Sequence, residues 1–113
     1  MIIGVAGPYS AETAEQRQAS LDAMNEAAAR LLELGHTPVI GMNAALPVLA
    51  KANMEDEYRC VMEISLAVVS ACEALLLLGE SPGANRERDL ILAKGGRIFR
   101  SVEEVREANE SSV

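Results

Sequence analysis

Ala74-Leu75-Leu76-Leu77-Leu78-Gly79-Glu80-Ser81-Pro82-Gly83-Ala84-Asn85-Arg86-Glu87 runs from a solid apolar block, through a small-residue turn, into a helical pattern that continues to Lys94. Five apolar residues without polar alternation fit a central parallel strand covered on both faces. Ile2 to Ala6 is short, rich in branched residues and followed by Gly7-Pro8, so it reads as a second buried strand with a sharp exit. Between these strands, Ala11 to Leu34 carries Leu21, Met24, Ala27, Ala28, Leu31 and Leu32 at helical spacing. Thr13 with Gln16 forms a capping-box pattern at its start, and Gly35 stops it.

Thr37 to Ile40 reads as a strand, Gly41 to Asn53 as a loop with a short helical piece, and Glu55 to Ser70 as a helix apolar nearly all round. A helix with that pattern is buried on more than one face, which suggests a subunit interface in so short a chain. Arg97 to Arg100 reads as a last strand. Ser101 and Glu104 match a capping box that opens a final helix. Strand and helix alternate, so the expected fold is a single-domain three-layer α/β/α sandwich. Its parallel sheet, flavodoxin- or Rossmann-like, has four to five strands. The domain spans residues 1–108, and Asn109 to Val113 is expected to fray.

Half of the 113 residues are hydrophobic but only 3% are aromatic, so the core is built from Leu, Ile, Val, Ala and Met. The net charge of −7, from 17 acidic and 10 basic residues, argues against a nucleic-acid polymer as partner. Cys60 and Cys72 fit no metal or redox spacing, and His36 is the only histidine. No metal or redox cofactor is therefore expected. The cysteines read as small core residues in a reducing, cytoplasmic setting. Residues 1–7 lack the basic start and length of a signal peptide. Cys60 to Leu78 resembles a membrane span in hydropathy, but it carries Glu63 and Glu73 and changes midway from helix-like to strand-like.

In open α/β sheets ligands sit beyond the carboxyl ends of the strands. Gly7-Pro8-Tyr9-Ser10 and Ser81-Pro82-Gly83-Ala84 should meet there, the second offering helix-start N–H groups to an anion or a sugar hydroxyl. Tyr9 either stacks on a base or packs. Glu87 shares a helix face with Leu90 and Ile91, so it is either a helix-start acid in a charge cluster or a carboxylate held over a pocket. In a dry pocket burial would raise its pKa and the helix dipole would oppose the rise. Glu63, four residues after Arg59, is either one half of a surface ion pair or a second carboxylate in the same cleft. Asn43 is a weaker candidate to reach the cleft from the Gly41 to Asn53 loop. His36 reads as structural, and Glu73 as a charge where the third strand begins.

Together, Ala6-Gly7-Pro8-Tyr9-Ser10, Leu34-Gly35-His36, the helix bearing Glu63, Ala71-Cys72-Glu73-Ala74-Leu75, and Ser81-x-Gly83-Ala84-x-x-Glu87 carry a family likeness. The chain resembles the nucleoside 2-deoxyribosyltransferase-like superfamily, and within it the small DUF4406-type branch, from residue 2 to about residue 100. The resemblance implies a flavodoxin-like fold and cleavage or transfer at the N-glycosidic bond of a (deoxy)nucleoside or nucleoside monophosphate. It makes Glu87 the nucleophile and Glu63 an orienting or protonating acid. Ser81, Gly83 and Ala84 would line the sugar or phosphate site, and the protein would form a homodimer or higher homo-oligomer. Glu63 and Glu73 stand where the enzymes usually carry Asp, and Arg88-Asp89 follows Glu87 where they often have Leu-Gly or a small residue. Beside this enzyme reading stand a non-catalytic binder of a nucleotide or sugar phosphate and a structural homo-oligomer with a vestigial site.

Overall fold

The computed structural model describes residues 1–111. Four strands, β1 (Ile2–Ala6), β2 (Thr37–Val39), β3 (Ala74–Leu77) and β4 (Arg97–Phe99), form one sheet in the order β2-β1-β3-β4. Every pairing is parallel. Five helices connect and flank the strands: α1 (Ala14–Glu33), α2 (Gly41–Leu49), α3 (Glu57–Val69), α4 (Pro82–Ala93) and α5 (Val102–Ser111). The expected α/β fold with a parallel sheet is the fold observed.

The register explains why the strands read as unbroken apolar runs. Ile3 pairs with Ala74, Val5 with Leu76, and Ala6 with Leu77. Ile3, Val5, Ala74 and Leu76 point to a core with Met24, Ala27 and Leu31 of α1 and Val105 of α5. Ala6, Leu75 and Leu77 point the other way, to Val69 of α3 and Ala84 and Ile91 of α4. Each central strand therefore buries both of its faces. Pro38 has no N–H to give a ladder and lies on β2, at the sheet edge, where that loss is tolerated.

The helix boundaries follow their caps. Thr13 Oγ1 accepts from the Gln16 N–H at 3.1 Å while Gln16 Oε1 accepts from the Thr13 N–H at 3.3 Å, a complete capping box. Gly35 closes α1 with a φ of 92°, a conformation that glycine adopts without strain. Lys94 ties the end of α4 to the turn between α3 and β3: its ammonium donates to the Ser70 carbonyl and, at 2.8 Å, to the Cys72 carbonyl. His36 is structural, with Nδ1 3.1 Å from the Met1 nitrogen and Nε2 2.9 Å from Asn109 Oδ1. Asn109 and Glu110 belong to α5 rather than to a fraying tail, because Asn109 is held by His36 and by the Leu34 carbonyl. Residues 112–113 of that expected tail lie outside the described residues. Glu73 accepts a bond from the Ile2 N–H at 3.2 Å, as suits a charge at the start of β3.

One sequence expectation changes. Gly41 to Asn53 is mostly the regular helix α2, despite Pro47 within it. A mid-helix proline removes one backbone bond, but α2 is held by packing along α3, with Ala45 fully buried and Gly41 against Ser65. That packing covers one side of α3, burying Cys60, Met62, Ser65 and Val69, while Ile64, Leu66 and Val68 stay half-buried. A Cβ on Gly41 would fall 2.7 Å from Ser65 Cβ and 2.8 Å from Ser65 Cα. Backbone cannot yield as a flexible side chain does, so Gly41→Ala is expected to destabilise the protein by about 1–3 kcal/mol. Urea denaturation would read this as a lower midpoint with an unchanged slope.

Candidate functional site

The sheet order places β2 and β3 on opposite sides of β1, so the chain leaves β1 and β3 at a switch point of the topology. The two exits lie against each other: a Cβ on Gly79 would meet Pro8 Cδ at 3.0 Å, and one on Gly7 would meet Leu78 Cβ at 3.4 Å. A cleft of about 1020 Å³ opens above them. Gly7, Pro8, Tyr9 and Ser10 line it from the first exit, and Ser81, Pro82, Gly83, Ala84 and Glu87 from the second. Val5, Met24, Leu46, Val61 and Met62 make apolar walls, and the half-exposed Tyr58 stands with Glu57 at the head of α3.

Glu87 is buried, at 8% exposure, and no hydrogen bond or ion pair reaches its carboxylate among the described residues. It belongs to the sheet-facing row of α4, between Ala84 and Ile91, both in the core. Helix α4 begins at Pro82, capped by Ser81, so Glu87 lies in the second turn. The dipole has largely faded there. Burial therefore dominates and pushes the carboxyl up from its ordinary value of 4.5 to about 7. The reading of Glu87 as one charge in a solvated cluster does not hold, since its neighbour Arg88 turns away to Glu80 at 3.1 Å and Asp89 at 3.1 Å.

The turn before it is less generous to anions than its sequence suggests. Pro82 has no N–H, and the Ala84 N–H donates to Ser81 Oγ at 3.1 Å. The Asn85 N–H donates to the Ser81 carbonyl at 2.8 Å, which leaves the Gly83 N–H as the available donor of the first turn. The bare face of Gly83 matters too, because a Cβ there would sit 3.1 Å from Met62 Sδ and 3.9 Å from the Tyr58 hydroxyl.

Two expected residues do not reach the cleft. Glu63 is exposed on α3 and pairs with Arg59 at 3.7 Å, so the surface ion pair is the reading that stands. The cause is helical phase: Glu63 points outward, while Tyr58, Val61, Met62 and Ser65 face the cavity. Asn43 is exposed and donates to Asn25 Oδ1 at 2.8 Å, because the helical path of α2 turns Met42 and Leu46 toward the cleft instead.

Four polar residues of the cleft were not anticipated from sequence: Arg17, Glu57, Glu80 and Ser65. The Ser65 hydroxyl is buried at 1% exposure and has no partner. Arg17 was hidden in the polar first turns of a long amphipathic helix, where an arginine ordinarily faces water. Burial pushes the pKa of the Cys72 thiol up, with Lys94 acting against this and Glu87 with it, the opposite of what an activated thiolate needs. Among the described residues no cluster of three His, Cys, Asp or Glu side chains is placed to hold a metal ion. None of their helices is long and apolar enough to cross a membrane.

The family described as Domain of unknown function (DUF1937) matches residues 1–103. The chain belongs to the DUF1937 family. No curated protein and no solved structure matches it. The match spans β1 through the start of α5, so the whole cleft of this DUF1937 chain lies inside the family's region.

Keeping Glu87 carries an energetic penalty that depends on pH. A carboxyl whose pKa is raised by folding binds its proton more tightly in the folded state. The stability it permits is full below about 4.5 and is lost as pH rises through about 7. Gln stays neutral throughout. Glu87→Gln is therefore expected to match the parent protein near pH 4.5 and to exceed its stability by about 1–3 kcal/mol at pH 8. Urea melts at the two pH values check this, and equal stability at both would place the carboxylate in water.

Proposed function

We propose that this cleft cleaves or transfers at the N-glycosidic bond of a (deoxy)nucleoside or its monophosphate, with Glu87 as nucleophile. The observation that carries the reading is the buried, partnerless Glu87 on the floor of a cleft at the sheet's switch point. The resemblance to the nucleoside 2-deoxyribosyltransferase-like superfamily supplies the substrate class. In the proposed course a Glu87 oxygen attacks the anomeric carbon and the bond to the base breaks. The electron pair leaves on the base nitrogen, which takes a proton from solvent. A water, or a second base, then attacks the same carbon, and the glutamate departs as carboxylate. Poor hydration makes the ionised Glu87 a stronger nucleophile than a surface acid. Glu63 has no part in this course.

Glu87→Gln is expected to lower base release by about 10³-fold or more while the protein stays folded. Glu63→Gln is expected to change the rate by less than about 2-fold, since an exposed ion pair contributes little. Chromatography of free base after incubation with deoxynucleosides and their monophosphates measures both. Intact-mass spectrometry looks for a pentose-sized adduct on Glu87. The rate should climb with pH and level off above about 7, where Glu87 is ionised.

A second reading, a non-catalytic binder, is favoured by one observation: Glu63, the acid expected to assist Glu87, lies outside the cleft in a surface ion pair with Arg59. In that case a protonated Glu87 donates a hydrogen bond to the ligand. Affinity would then fall as pH rises through about 7, the opposite trend to the catalytic rate.

A further inference from the structure

Arg17 is the one cation among the residues that line the cleft. It sits in the first turns of α1, and its side chain folds back so that Nη1 donates to the Ala11 carbonyl at 2.9 Å. That bond fixes the guanidinium over the loop leaving β1. Arg30, Arg59, Arg88 and Arg106 each pair with a carboxylate on the surface. Arg17 is half-buried, yet no carboxylate comes within ion-pair distance of it among the described residues. A guanidinium has five N–H donors in a planar fork, and one of them is used.

We infer that Arg17 makes the cleft selective for a ligand bearing a phosphomonoester, which its guanidinium holds while Glu87 faces the sugar. The inference rests on the nucleoside reading of the site and narrows it to the monophosphate. Three observations point this way. A neutral nucleoside filling the cleft would strip water from Arg17 and give it no counter-charge, which is unfavourable for a partly buried ion. The head of α4 has little to offer an anion, since the Gly83 N–H is the donor left in its first turn. The chain carries a net charge of −7 and presents Glu57 and Glu80 on the same walls, so an anionic ligand needs a dedicated cation to enter. The buried Glu87 carboxylate lines this cavity without a protein partner and marks it as built for a polar occupant.

The test is calorimetric binding of 2′-deoxynucleosides and the matching 5′-monophosphates to the full chain, repeated in Glu87→Gln so that ligand is not consumed. The expected result is a preference of about 10-fold or more for the monophosphate, the effect of one charge-assisted guanidinium–phosphate pair. Arg17→Gln should reduce that ratio toward one, and Arg17→Lys, which keeps the charge but not the fork, should restore part of it. If Arg17 only braces the loop through Ala11, the variants will weaken both ligands alike and leave the ratio intact, and the inference falls. It falls as well if the parent protein shows no preference or binds neither ligand. The two proposals fail separately. Base release without a phosphate preference removes the role of Arg17 alone. A preference without base release removes the chemistry assigned to Glu87 and leaves Arg17 in place.

Discussion

Parallel pairing of β1 with β3, buried on both faces, is the constraint on which the molecule depends. The ladder continues past the strands, where the Leu78 N–H donates to the Ala6 carbonyl at 2.8 Å. Because the strands run the same way, both chains must leave the sheet at the same edge. Because both faces are covered, neither chain has anywhere to go but up and apart. The glycines on the two exits, Gly7 and Gly79, let the backbones stay in contact before they diverge. The cleft is the space this divergence leaves, and its apolar floor is the top of the core itself, through Val5, Ala6 and Met24.

A polar group placed on that floor works against the burial that created it. The row Ala84, Glu87, Ile91 would pack at least as well with a hydrophobic residue at its centre. A fold selected for stability alone has no reason to hold a carboxylate there without a partner. Local rules broken without compensation are most often found where a protein meets its ligand. The unpartnered Ser65 hydroxyl, enclosed at the contact between α2 and α3, and the buried side-chain oxygen of Asn85 are further breaks of this kind.

The strands and most of the helices were legible because each carries a local signal. Ile2 to Ala6 and the Ala74 to Leu78 run are unbroken apolar stretches, Thr13 with Gln16 is a cap, and Gly35 is a stop. Helix α2 was not legible, since Pro47 and the absence of a side-chain cap speak against a helix and only packing on α3 overrides them. Glu87 could be singled out because its position relative to Leu90 and Ile91 sets it on a packing face. Glu63 had the same kind of support, but α3 is apolar on so many sides that phase alone did not say which face met the cleft. Arg17 gave no signal at all, since what distinguishes it is the fold of a side chain back over a loop.

The far end of α3 has one more consequence. Lys94, at the tail of α4, grips the Ser70 and Cys72 carbonyls just past the end of α3, while at the other end Met62 and Tyr58 stand against the bare face of Gly83. The walls of the cleft are thus fastened at the base and merely in touch at the rim, like the arms of a pair of tweezers. A thioether and a tyrosine sliding across a glycine give little resistance to spreading. Any spreading of the cleft would therefore begin at the rim and leave the strand ladder beneath it closed.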